Sequence, residues 1–236
     1  MSELFVKGIR LRRTEVENFD EYPFNIPVIR NMKEVWFDRP VTFIEGANGS
    51  GKSTVIEAIA VSLGLSAEGG TRNMLYETVN STSDLYKYMT LIKSGLSPKW
   101  KYFLRAESFY TMANAYENYR EPWESGIHAQ SHGEAFNRLF DSFSDNGLYL
   151  MDEPESALSP KSQIRFLSKM HSLAQNGAQF IIATHSPILL SYYNARILDA
   201  DNDLRPTVYR DTEIYSIYRR FLECPEKMQR LLFDEE

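Results

Sequence analysis

Short apolar runs alternate with stretches of helical periodicity along most of this chain. Val41–Ile44, Leu148–Met151 and the run QFIIAT leading to His185 are continuous apolar segments of strand length. Uninterrupted runs of this kind are expected of strands buried on both faces of a parallel sheet. ARILDAD, from Ala195, is a further strand, and WKYFLR runs as a strand into Arg105. Residues 4–17 alternate loosely between apolar and charged positions and read as a strand or hairpin at a sheet edge. A turn region with two prolines follows at Asn18–Pro27, then a strand through Val35–Phe37. Helical spacing takes over at Val55, Ile56, Ile59, Ala60 and Leu63, so a helix to about Leu63 packs on the sheet. Gly64–Asn73 reads as a flexible connection. The pattern predicts further helices at 108–119, 131–143 and 160–175, and a short one opened by Pro187. In the helix at 131–143, Ala135, Phe136, Leu139, Phe140 and Phe143 form a core-facing stripe. A strand and two polar-aromatic helices close the chain.

Strands alternating with helices imply an α/β protein: a mixed central sheet flanked by helices, with an N-terminal antiparallel β part. At 236 residues the chain suits a single domain, 1–236, with a small helical subdomain at roughly 74–143. Hydrophobic residues make up 43%, enough for an ordinary core. No apolar run approaches ~18 residues, so no membrane insertion is expected. MSELFVKGIRLRR lacks a signal-peptide apolar region, and Cys224 is the only cysteine, so the expected location is the reducing cytoplasm. The net charge of −6 argues against a protein coated by nucleic acid. Lys7, Arg10, Arg12 and Arg13 form a basic cluster that reads as a solvated strand face, with a nucleic-acid or partner contact as the alternative.

Candidate chemistry concentrates after the strand at Val41–Ile44. GANGSGKST, Gly46 to Thr54, satisfies G-x-x-x-x-G-K-[ST] and stands between an apolar strand and a helix. Gly46, Ala47, Asn48, Gly49, Ser50, Gly51, Lys52, Ser53 and Thr54 are therefore read as a loop that wraps phosphates with backbone N–H groups. Gly46, Gly49 and Gly51 are expected to keep the path clear of side chains. Lys52 would reach the β- and γ-phosphates, and Ser53 would ligate Mg²⁺. A second strand, Leu148–Met151, ends in Asp152 and Glu153. Asp152 is placed to hold Mg²⁺, and Glu153 to orient or deprotonate a water attacking the γ-phosphate.

The order GANGSGKST, QSHGE, LYLMDEP, ATHSP resembles the ABC-type ATPases. The branch it most resembles is that of soluble heads related to RecF, SMC and OLD proteins, and within it the small stand-alone AAA-family ATPases of bacteria. The likeness covers roughly 35–200, with the C-terminal tail also similar to the small ATPases. It implies a P-loop fold of the ABC-ATPase type that binds ATP with Mg²⁺. It implies that Ser131, Gly133 and Glu134 stand in the signature sequence that caps the γ-phosphate of a second subunit. His132 and Glu134 depart from the more usual residues there. Ser131 with Glu134 also forms a capping box, so the helix start is itself the anion site. It further implies that His185 is a switch histidine on the γ-phosphate and that Ser156–Ser159 is a D-loop, with Ser159 where Asp is common. Glu107 falls near the position of a Q-loop metal ligand. Phe19, Tyr22 and Phe24 are candidates for stacking on adenine, and His128 and His171 read as surface residues. The short interval from Lys52 to Ser131 leaves no room for long coiled-coil arms.

The function expected on this resemblance is an ATPase with Glu153, His185 and Lys52 as catalytic residues. It would close as a homodimer around ATP and drive or gate a partner effector protein, in bacterial defence or DNA-related processes. An ATP-dependent scaffold that hydrolyses slowly or not at all is the alternative. A transporter nucleotide-binding subunit or a small-molecule kinase fits the signature and ATHSP less well. Nucleic-acid binding stays open.

Overall fold

The computed structural model of the chain describes residues 3–69, 82–105 and 139–233. Its centre is a six-stranded sheet made of β3 (Val41–Glu45), β5 (Trp100–Arg105), β6 (Gly147–Asp152), β7 (Gln179–Ala183), β8 (Ala195–Asp199) and β9 (Arg205–Thr207). The strand order is β5-β6-β7-β3-β8-β9, with β9 antiparallel and the other five parallel. β3, β6 and β7 are buried along their whole length, as their unbroken apolar runs require. Alternate side chains face opposite layers. Ile44, Leu148, Leu150, Ile181, Ala183 and Leu198 join one core cluster, whereas Val41, Phe43, Tyr149, Met151, Phe180 and Ile182 join the other.

The first layer is formed by α2 (Lys52–Ser62) and a three-stranded antiparallel sheet of order β2-β1-β4. In it β1 is Val6–Leu11, β2 is Glu34–Trp36 and β4 is Met89–Lys93. The sequence pattern places residues 4–17 at a sheet edge; β1 is instead the central strand, because β4 pairs with its second side. The two sheets are joined by Gln179, whose buried side-chain amide accepts from the Val6 N–H at 3.0 Å and donates to its carbonyl at 2.7 Å. A side chain thus takes the place of a strand partner. The opposite layer holds α4 (Pro160–Gln175) and α5 (Pro187–Leu190). α4 is amphipathic and presents Phe166, Met170, Leu173 and Ala174 to the sheet. Phe140 and Phe143 belong to the same core, as the 131–143 stripe predicts for those two positions.

Short elements complete the described residues. α1 (Pro27–Asn31) opens on a proline at its first turn, a position that needs no backbone N–H. α3 (Leu85–Tyr88) precedes β4, and α6 (Glu213–Glu223) and α7 (Pro225–Phe233) end the chain. Within the stretch expected as a helical subdomain, 74–143, the described residues include two strands, β4 and β5. Each pairs with a partner distant in sequence, β1 and β6 respectively, and that pairing decides their state. Among the described residues no helix is long and apolar enough to cross a membrane.

Candidate functional site

The parallel register lines up the carboxyl ends of the strands. Arg105 pairs with Asp152, Asp152 with Ala183, Ala183 with Ile44, and Ile44 with Leu198. One row along the sheet therefore carries the Asp152 strand end, the strand leading to His185 and the strand leading into the glycine-rich loop. Ligands of open α/β sheets bind at this edge.

Gly46, Gly49 and Gly51 all take positive φ, and Gly51 is the left-handed N-cap of α2. The sequence reading assigns the glycines to an unobstructed phosphate path. At Gly51 the reason is different. A Cβ there would lie 2.8 Å from Val28 Cγ1 and 2.9 Å from Ile26 Cγ2, so the loop is pressed against the start of α1. Lys52 is buried, and its Nζ donates to the carbonyls of Gly46 at 2.9 Å and Ala47 at 2.8 Å. Burial lowers the Lys52 pKa, while Glu153, Asp201, Asp152 and Glu45 favour its charged form. Ser53 Oγ donates to Asp152 Oδ1 at 2.9 Å, which brings together the two residues expected to share a metal.

Glu153 stands just past β6 with φ of 49°, in the left-handed region where non-glycine residues are strained. Its N–H is tied to the Ala183 carbonyl at 3.0 Å, and its Oε1 lies 3.5 Å from His185 Nε2. The His185 backbone is held by a local network. Its N–H donates to Glu155 Oε1 at 2.5 Å, and the Ser186 N–H donates to Thr184 Oγ1 at 3.0 Å. Ser186 Oγ caps α5 and donates to the buried Gln163 on α4. Burial, followed by the Lys52 charge, lowers the His185 pKa, so the imidazole is neutral at neutral pH. Among the described residues, its Nε2 and the hydroxyl of Ser50 are buried polar atoms without a hydrogen-bond partner. Such atoms in and beside a glycine-rich loop suit donation to an anion's oxygens.

This donor set fits a Mg²⁺–nucleotide. Ser53 and Asp152 offer adjacent hard oxygens, and Lys52 offers a cation at the loop. The structure brings Lys52, Ser53, Asp152, Glu153 and His185 to one edge. Glu107, Ser131, Gly133, Glu134 and His128 lie outside the described residues. Phe24 is buried, with its ring 5.0 Å from Tyr88, so it is core and not free to stack on a base. Phe19 packs under the Arg13 guanidinium, whereas Tyr22 is 63% exposed. His171 is no plain surface residue, since its Nδ1 shares a 2.9 Å hydrogen bond with the Tyr192 hydroxyl. Ser159 accepts from the Ser162 N–H as the N-cap of α4, a structural use of the position where Asp was expected.

The sequence reading missed three carboxylates. Glu155 anchors the His185 backbone. Glu45, at the loop end of β3, is buried beside Asp199 and Asp201, and its pKa is pushed up to about 7, chiefly by desolvation. Asp201 Oδ2 accepts from the Ala47 N–H at 2.6 Å. Glu155 stands two residues past the DE pair and could have been suspected; Asp201 had no local signal.

Two family profiles match the chain. One, described as "AAA domain", covers residues 15–111, and the other, "AAA domain, putative AbiEii toxin, Type IV TA system", covers residues 134–191. Each profile matches less than half of the chain, so the likeness to AAA domains is a likeness of these two stretches. The first matched stretch holds the loop and α2, and the second holds Asp152, Glu153 and His185, so both halves of the site lie in AAA-domain sequence. No curated protein matches the chain. Among solved structures, the SMC head domain from Thermotoga maritima is 16% identical, with a TM-score of 0.43 over 83% of this chain and 94% of that one. An ATP-binding subunit of an ABC transporter is 17% identical, with a TM-score of 0.44 over 80% of this chain and 86% of that one. A nucleotide-free ATP-binding cassette from an ABC transporter is 16% identical, with a TM-score of 0.44 over 91% and 99%. Overlaps of this extent describe an outline only. β7 lies between the loop strand β3 and the acidic strand β6 and delivers His185 between them.

Proposed function

We propose that this protein binds ATP with Mg²⁺ and hydrolyses it. The observation that carries the reading is the convergence at one sheet edge of Lys52, the Ser53–Asp152 pair at 2.9 Å and the Glu153–His185 pair at 3.5 Å. Lys52 and the loop amides bind the phosphates, and Ser53 with Asp152 holds the metal. Bound Mg²⁺ supplies electrostatic stabilisation of the phosphoryl group. Glu153 orients and deprotonates the attacking water, and the neutral imidazole of His185 stands beside it, free to donate to the γ-phosphate. We infer from the sequence resemblance that Ser131, Gly133 and Glu134 of a second copy close the pocket, so that ATP is held in a homodimer.

Glu153→Gln keeps the shape and removes the base. Steady-state phosphate release by this variant is expected to fall about 10²–10⁴-fold, with ATP affinity retained. Light scattering should then find an ATP-dependent dimer. A variant that turns over normally removes Glu153 from the reaction, and one that stays monomeric at saturating ATP removes the sandwich.

The second reading, a slow ATP-dependent scaffold gating an effector, is favoured by Ser159. Its hydroxyl is used to cap α4 instead of supplying the Asp common at that position. The toxin–antitoxin wording of the second profile agrees with an effector role in defence. Rapid turnover by the purified chain alone would exclude the scaffold.

A further inference from the structure

Asp201 lies outside both matched stretches, yet its carboxylate touches the phosphate loop. It follows β8 in a single 3-10 turn, Ala200–Asn202. That turn is constructed with unusual care. Asp199 Oδ1 accepts from the N–H groups of Asp201 at 2.9 Å and Asn202 at 3.1 Å. Asp203 and Leu204 both take left-handed φ near 57°, a costly choice for two successive non-glycine residues. The buried Leu204 sends its N–H back to the Asp199 carbonyl at 2.7 Å. Asn31 at the end of α1 donates to Asp203 Oδ1 at 2.9 Å. The same segment braces the other end of the loop, where Val28 and Ile26 meet Gly51.

The result of this bracing is the 2.6 Å hydrogen bond from the Ala47 N–H to Asp201 Oδ2. Asp201 Oδ2 would also lie 3.0 Å from a Cβ at Gly46, so a side chain at Gly46 would crowd it. A carboxylate here stands against simple electrostatics, because its negative charge opposes an incoming triphosphate. Its presence calls for a compensating role, and the hydrogen bond supplies one. We propose that Asp201 is a positioning residue of the phosphate loop, holding Gly46–Ser50 in its open, anion-ready curve before nucleotide arrives. The proposal rests on the ATP reading for its purpose; the Ala47–Asp201 contact is independent of that reading.

The experiment compares the full-length chain with Asp201→Ala and Asp201→Asn. Hydrogen exchange of the 41–54 segment is followed without nucleotide, and ATP–Mg²⁺ binding is titrated separately. Loss of the hydrogen-bond acceptor should speed exchange at Ala47 and weaken ATP binding at least about tenfold in Asp201→Ala, with kcat at saturating ATP unchanged. Asp201→Asn retains an oxygen acceptor and removes the charge, so its exchange and affinity should stay within about twofold of the parent. Wild-type exchange and affinity in Asp201→Ala would overturn the proposal, as would loss in Asp201→Asn equal to that in Asp201→Ala. Should Asp201→Ala fail to fold, exchange in Asp201→Asn decides: protected supports the proposal, unprotected overturns it. A parent chain that binds no ATP would overturn the nucleotide reading, while the exchange measurement would still judge the Asp201 contact.

Discussion

Helices α2 and α6 are each eleven residues long, and the chain treats their apolar side chains in opposite ways. In α2, KSTVIEAIAVS, Val55, Ile56, Ala58, Ile59 and Ala60 are almost completely buried, so there is hardly an outer face. The helix lies between the two sheets and is buried nearly all round, and even Glu57 is inside, paired with Arg105 at 3.0 Å. In α6, EIYSIYRRFLE, no residue is buried, although its apolar and polar positions separate cleanly into two faces. Thr212 ties its start to the body by capping Tyr215 and bonding the Tyr209 carbonyl. Beyond that start, Ile217, Tyr218, Phe221 and Leu222 remain exposed among the described residues. A strong amphipathic pattern therefore does not certify burial, and a weak one does not deny it. Position in the layers decides.

The largest effect that tests this comparison is a cavity in α2. Ile59 is fully buried between the sheets, and Ile59→Ala should cost about 2–5 kcal/mol. Urea denaturation of both proteins measures it. A loss under ~1 kcal/mol would mean that the layer under the phosphate loop is loosely packed. The helix that carries Lys52 and Ser53 could then not hold them to the geometry seen at Asp152.

The same layering explains what could be read from the residues alone. β3, β6, β7, α2 and α4 were legible because each is buried against immediate neighbours and wears the period of its environment. Lys52, Ser53, Asp152, Glu153 and His185 were legible because phosphate chemistry needs those residue types at strand ends and in a glycine-rich turn. β4 was not. MTLIK has no clean alternation, and it becomes a strand because β1 offers it a free edge about eighty residues away. α1 was hidden for a related reason: five residues are too few to show a period. Asp201 reaches Ala47 across 154 residues, and nothing near either residue announces the other.

A smaller effect concerns a carboxylate at the loop end of β3, on the sheet face turned away from α2. Burial, reinforced by Asp199 and Asp201, raises the Glu45 pKa from 4.5 to about 7, while Lys52 opposes the rise. The folded state thus holds the proton more tightly than the unfolded chain. The contribution is complete below about pH 4.5 and is lost as pH rises through about 7. Glu45→Gln removes that loss. The difference in thermal midpoint between the variant and the parent should therefore grow from pH 5 to pH 8, by an amount on the order of 1–3 kcal/mol in stability. Groups common to both proteins cancel in the difference. A constant difference would place Glu45 in contact with solvent or with a compensating cation, and the loop end of β3 would then be less dry than its burial implies.

The smallest expected effect lies on α6. Leu222 is 79% exposed, so Leu222→Ser removes little buried area and should change stability by no more than ~0.5 kcal/mol. The substitution also lowers helix propensity slightly, which sets the sign as a small loss. Chemical denaturation of the purified chain, at a concentration low enough to keep it monomeric, reads this directly. A loss of 2 kcal/mol or more would show that the face of α6 is covered in solution, and the contrast with α2 would vanish. If the small value holds at low concentration and a larger one develops as concentration rises, the cover is a second copy of the chain. The two helices would then differ only in when their apolar faces are buried: α2 on folding, α6 on assembly.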